Sequence, residues 1–171
     1  QAEKDMDRAI QLDTKNFDAC MARGEHYTAP FIAKLNEAIG DFSKAIGLNP
    51  QSMEAYRSRQ EAYRLQSDPA RRIADLTRLI ALDSDSGAYI FGYYVDRGMA
   101  RIEVRDLDNA LADFDKGLSL VDAHRGDDSV PQVQAKAYAG RGMVYARKNN
   151  REQALAEYAK AIALDDQWSS V

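Results

Sequence analysis

Residues 38–50 read AIGDFSKAIGLNP. Residues 110–122 read ALADFDKGLSLVD, and residues 154–166 read ALAEYAKAIALDD. One chain writes the same thirteen-letter pattern three times, and two weaker copies extend the series. RIADLTRLIALDS occupies 72–84 and AEKDMDRAIQLDT occupies 2–14. The opening residues 2, 38, 72, 110 and 154 are separated by 36, 34, 38 and 44 positions. These steps read as a 34-residue unit carrying insertions of 2, 0, 4 and 10 residues. Self-similarity at such a period is the signature of a repeat architecture.

A second segment recurs upstream of each full copy. It reads CMARGEHY from 20, YRSRQEAY from 56, YVDRGMAR from 94 and YAGRGMVY from 138. Each contains an arginine followed by a contact position: Arg23-Gly24, Arg59-Gln60, Arg97-Gly98 and Arg141-Gly142. Apolar and small residues return at three- and four-residue steps in both segments, as one face of an amphipathic helix requires. In the last copy Ala154, Leu155, Tyr158, Ala161 and Ile162 form one such stripe. The unit is therefore two helices, A then B. Local punctuation agrees. Asp68-Pro69 reads as an N-cap followed by proline at the first helical position. Asp106 and Asn149 or Asn150 are placed to start two other B helices, and Leu48-Asn49-Pro50 ends one.

Composition fits an all-α chain. Of 171 residues, 45% are apolar and 29% charged, too apolar for disorder, and no apolar run is long enough to span a bilayer. The net charge of −4 argues against a nucleic-acid partner, which needs a basic surface. A single cysteine, Cys20, rules out an internal disulfide.

The paired segments resemble the tetratricopeptide repeat. The resemblance rests on the aromatic residues Tyr56, Tyr94 and Tyr138 early in helix A, with Cys20 in their place in the first repeat. It rests also on the small residues Gly24, Gly98 and Gly142 and on the later aromatics Tyr27, Tyr63 and Tyr145, with Arg101 departing. Helix B contributes the small residues Ala38, Ala110 and Ala154, followed by Phe42, Leu76, Phe114 and Tyr158. The resemblance implies a right-handed α-solenoid of antiparallel helix pairs along the whole chain, 1–171. About four units are expected, at 17–50, 53–84, 91–122 and 135–166, with an insertion at 123–134 whose part from Val130 onward is alternatively read as lengthening helix A of the last unit. Residues 1–14 read as an orphan helix B, so the array is expected either to continue upstream or to be capped by this helix. Gly24, Ala38, Gly98, Ala110, Gly142 and Ala154 are the expected A–B packing positions. Repeat two departs at both contact positions, with Gln60 and Arg72. Its helices are expected to splay, or Arg72 to carry its charged head to solvent.

No catalytic constellation is visible. His26 and His124 have no partners at metal-ligand spacing. Cys20 reads as core, and the acid pairs 127–128 and 165–166 read as solvated turns. Neither a cofactor nor a metal is expected, and the chain is expected not to be an enzyme. The RGD at 125–127 is too short to count.

In the family, helices A line a concave groove that commonly takes peptides. Carried over position by position, the candidate peptide-binding residues are Arg57, Arg64, Val95, Met99, Ile102, Lys136, Met143 and Arg147. The half formed by repeats three and four is apolar, with Val95, Met99, Ile102 and Met143 over a floor of Ala139, Gly140 and Ala146. Methionine adapts to varied partners. The expected partner is therefore a protein segment with apolar anchors, met by arginines at its edges. The Lys/Asn/Arg clamp that family members use for chaperone C-terminal tails is absent, because Glu25, Glu61 and Asp96 stand in it. Self-assembly through the terminal helices is the alternative reading, so a homo-oligomer is a possible product. The repeat style looks bacterial, and nothing in the sequence assigns a compartment.

Overall fold

The computed structural model describes residues 1–29, 34–83, 89–121 and 130–168, with side chains to 164. Every regular element among them is an α-helix. The order is α1 (Ala2–Leu12), α2 (Phe17–Thr28), α3 (Leu35–Leu48), α4 (Met53–Leu65), α5 (Pro69–Leu82), α6 (Ile90–Glu103), α7 (Leu107–Leu120), α8 (Val130–Arg147) and α9 (Arg151–Trp168). The chain divides into two compact units, Gln1–Leu82 and Asp83–Val171. Residues 30–33 and 84–88 fall outside the described residues, as do the insertion up to residue 129, His124, the RGD and the side chains of Asp165 and Asp166. Helix α8 begins at Val130 and so contains residues 130–134 of the segment expected between repeats.

Helix ends follow from local chemistry. Asn16 and Ser52 accept from the backbone N–H groups of Ala19 and Ala55, at 2.9 and 3.2 Å. Asp68 accepts from Arg71 N at 3.0 Å, and Pro69 opens α5. Asn150 accepts from Gln153 N ahead of α9. Asp106 precedes α7 without a side-chain bond to its backbone, and the Asn109 side chain donates to it instead. Helix α3 ends at Leu48, before Asn49 and Pro50.

In the first unit α2 packs on α3 and α4 on α5, with α1 against α2 and α3 against α4. The core holds Ile10, Cys20, Met21, Tyr27, Phe42, Ala55, Ala62 and Tyr63. In the second unit α6 packs on α7 and α8 on α9, and α8 meets both α6 and α7. Val95, Ile102, Ala110, Phe114, Ala137 and Val144 form that core.

The small residues of helix A are explained by the aromatic residue of helix B. A Cβ added at Gly24 would sit 2.5 Å from the Phe42 ring, at Gly98 2.7 Å from Phe114, and at Gly142 2.6 Å from Tyr158. Real side chains never approach so closely. Phe114 is also covered from the next helix, where a Cβ at Gly140 would come within 2.4 Å. The ring is thus held between α6 and α8. Repeat two exchanges the sizes, with Gln60 where the others have glycine and Leu76 where they have an aromatic.

Arg72 does not reach solvent, contrary to one of the sequence expectations. It is 6% exposed, and its Nε donates to Gln60 Oε1 at 3.2 Å. The two departures from the pattern thus bond to each other, Gln60 on α4 accepting from Arg72 on α5.

Candidate functional site

A ladder of buried charge pairs fixes helix A on helix B in every unit pair. Arg23 donates through Nε and Nη2 to both oxygens of Asp41, at 2.8 and 2.7 Å. Arg59 does the same to Asp75 and Arg97 to Asp113. The bidentate fork matches carboxylate geometry and adds orientation as well as energy. The hydrogen bonds to Asp41 and Asp75 hold the Arg23 and Arg59 guanidinium groups even further above their ordinary range. The fourth pair is looser. Arg141 Nε lies 3.1 Å from Glu157 Oε2 without hydrogen-bond geometry, because Glu is one methylene longer. Lys160 Nζ, 2.7 Å from Glu157 Oε1, completes it.

The same arginines reach back to the preceding helix. Arg23 meets Asp7 of α1 at 2.6 Å, Arg59 meets Ser43 of α3 at 3.0 Å, and Arg141 meets Asp115 of α7 at 3.2 Å. The acceptors occupy one repeat position, five residues after the small residue that opens each helix B. One side chain therefore ties three helices. The sequence displayed the arginine and the acid, but only the fold shows that they meet.

The candidate peptide-binding residues separate into three groups. Val95 and Ile102 are 1% and 2% exposed and belong to the core of the second unit. This corrects their assignment as groove anchors, since an enclosed side chain cannot touch a peptide. Gly140 is corrected for the same reason, its missing side chain making room for Phe114 rather than for a ligand. Met99 and Met143 are half-buried and pack on that core while keeping an outer surface.

The charged candidates come next. Lys136 on α8 pairs with Asp96 on α6, Nζ to Oδ1 2.5 Å. Arg147, near the end of α8, donates through Nη1 to the carbonyl of Ile102 at 2.6 Å. Arg57 and Arg64 lie exposed on α4 in the first unit, where Arg64 pairs with Glu61. The packing residues Ala38, Ala110 and Ala154 are all buried, as are Gly24, Gly98 and Gly142.

Helices α6 and α8 thus form a face closed at one end by Lys136–Asp96. At the other end a cleft of about 310 Å³ opens, lined by Ile102, Glu103, Arg105, Leu107 and Arg147. Arg105 occupies the left-handed region, φ 61°, in the turn that ends α6. Arg105 and Leu107 were not singled out from sequence, because Arg105 sits on the turn and Leu107 opens α7, off the groove stripe. A non-glycine residue at the turn position is the only trace they leave.

Among the described residues no group of three His, Cys, Asp or Glu could hold a metal ion, and no helix is long and apolar enough to cross a membrane. Cys20 is fully buried, and burial pushes its thiol above the ordinary range. His26 lies half-buried near the end of α2.

Residues 135–167 match the family model described as tetratricopeptide repeat. Over 87 residues the chain is 39% identical to tetratricopeptide repeat protein 36 of Bos taurus and 38% identical to that of Homo sapiens. Those matches cover 50% of this chain and 46% of either relative, so the chain spans less than half their length. Among solved structures, MamA superposes with a TM-score of 0.79 at 21% identity, covering 99% of this chain and 90% of that one. The Cut9–Hcn1 hetero-tetramer of the APC/C superposes with a TM-score of 0.66 at 17% identity, covering 94% of this chain and 28% of that one. At such identity the structural likeness speaks for the fold.

Proposed function

We propose that this chain, which belongs to the tetratricopeptide repeat family, is a non-enzymatic scaffold that binds a segment of another protein along α6 and α8. The fold is one that serves protein–protein interaction, and the finer reading concerns where. The observation that carries it is the contrast on α6. Val95 and Ile102 are spent on the core, while Met99 between them keeps surface, as does Met143 on α8. These two flexible side chains suit an apolar anchor. One turn beyond each lie Ile102 and Arg147, at the cleft that also holds Arg105. A peptide with an apolar anchor followed by an acidic group would seat the anchor on the methionines and the acid beside the two arginines.

Panning a peptide library against the native chain and against Met99→Glu/Met143→Glu tests this. Selected peptides should share an apolar residue near an acidic one, and should lose binding to the variant while its helicity and thermal midpoint hold. Equal binding by a folded variant would refute the reading.

A further inference from the structure

The turn that joins α6 to α7 holds Arg105 at φ 61°. The same turn position carries Ser67 after α4 and Asn149 after α8, both also left-handed at φ 58°. Asparagine visits this region readily because its short polar side chain bonds locally, whereas a long side chain bears the steric cost without that return. A backbone outlier kept at such a cost points to a function beyond the turn. Arg147 is equally foreign to its place in the repeat. The equivalent residues are Leu65 at the end of α4 and Glu103 at the end of α6.

Both arginines line the cleft of about 310 Å³. The cations around them are matched. Arg97 and Arg101 share Asp113, Arg141 has Glu157 and Asp115, and Lys148 has Asp108. Among the described residues neither Arg105 nor Arg147 has a carboxylate partner. Arg147 gives one N–H to the Ile102 carbonyl and keeps the other donors of its fork. Glu103 is the one carboxylate lining the cleft, and it has a contact of its own. The field there is positive, and a ligand gains from it in proportion to its own charge. A carboxylate brings one charge and two oxygens, enough for one fork. A phosphoryl group brings nearly two charges and three oxygens, which suits two guanidinium groups arriving from two elements.

We propose, on the reading that α6 and α8 hold a segment of another protein, that the cleft receives a phosphoryl group on a serine or threonine of that segment. Phosphorylation of the partner then switches binding on. The helix spacing sets where the modified residue stands. Met143 and Arg147 are four residues apart on α8, a rise of about 6 Å. An extended peptide advances about 3.3 Å per residue, so the phosphorylated residue lies about two positions beyond the apolar anchor.

Degenerate peptide libraries test this. All share a fixed leucine, and they differ in the residue two positions later, which is serine, glutamate or phosphoserine. Passed over the immobilised full chain, the phosphoserine library should be retained about tenfold or more over the other two, the scale of a charge-assisted hydrogen bond. Arg105→Asn should remove this preference while the thermal midpoint stays level or rises, since Asn149 shows what the turn accepts. Arg147→Gln should also bring phosphoserine down to the level of serine. Equal retention of glutamate and phosphoserine, or a preference that survives Arg105→Asn, would overturn the phosphoryl site and leave the groove standing. Retention of phosphoserine that is indifferent to Met99→Glu/Met143→Glu would overturn the groove, and the proposal with it. Retention of no library would refute both. Inorganic phosphate should displace the peptides only weakly, because it lacks the apolar anchor. Displacement as strong as by the free phosphopeptide would overturn the proposal in favour of a free phosphate ligand.

Discussion

Phe114 touches two glycines from two helices, and that fact sets the tolerance of the second unit to substitution. A methyl group at Gly98 or Gly140 must displace the ring, which is fully buried and has nowhere to go. Overpacking of this kind costs about 1–3 kcal/mol. Gly98→Ala and Gly140→Ala are therefore each expected to lower the unfolding free energy measured by urea denaturation by that order, although alanine is the better helix former. Gly40 offers a control on an exposed helix face, because nothing lies within 4 Å of an added Cβ there. Gly40→Ala should be neutral or stabilising. Repeat two carries the inverse arrangement, with Gln60 and Leu76. Leu76→Phe alone should destabilise, and adding Gln60→Gly should recover part of the loss. A double-mutant cycle should show coupling of about 1 kcal/mol, and strict additivity would mean that the two positions do not face each other.

Between elements, the arginine ladder decides how helices stay in register. Asp113 is 3% exposed and accepts from Arg97, while Arg101 Nη1 lies 2.7 Å from its Oδ2. Removing the acid leaves two guanidinium groups facing a partly buried gap. Breaking a buried pair from one side costs about 3–5 kcal/mol, so Asp113→Ala should be among the most damaging single substitutions. Chemical denaturation with unchanged slope would measure it. Glu157→Ala should cost less, because its contact with Arg141 lacks hydrogen-bond geometry.

The docking of α1 has a different sensitivity. Lys34 and the Tyr27 hydroxyl both donate to Glu3, and the Lys34 bond leads in holding its carboxyl below the ordinary range. A lowered folded value means that the contribution is full above the ordinary carboxylate range and disappears as pH falls through the lowered value. Amide protection in Ala2–Leu12 should fall with acidification through that window, and Glu3→Gln should flatten the part that depends on this carboxyl.

At the scale of the whole chain, the 34-residue period made the helix pairs legible, because repetition averages out the ambiguity of any one segment. The packing role of the small residues was legible for the same reason. The groove was only half legible. Position in the repeat says which stripe a residue occupies, but not whether a neighbouring helix has already covered it. Val95 and Met99 lie one turn apart on α6, yet only Val95 is enclosed. The arginines themselves stood out in the repeat, but their bridging contacts did not, because the partners lie 16 or more residues away and on two sides at once.

Repeat proteins draw stability from each unit and from contacts with its neighbours. The second unit closes a core within itself, from Val95 and Ile102 on α6 through Phe114 on α7 to Ala137 and Val144 on α8. Phe91, Val121 and Val130 form a further cluster at its other end. A fragment of residues 83–171 is therefore expected to fold alone, with a helical circular-dichroism spectrum and a cooperative thermal transition. Phe114→Ala in that fragment should abolish cooperativity, since it empties the site where α6, α7 and α8 meet, and such a truncation costs about 3–5 kcal/mol. A fragment that is helical but melts without a cooperative transition would show that this core does not suffice to fix the unit.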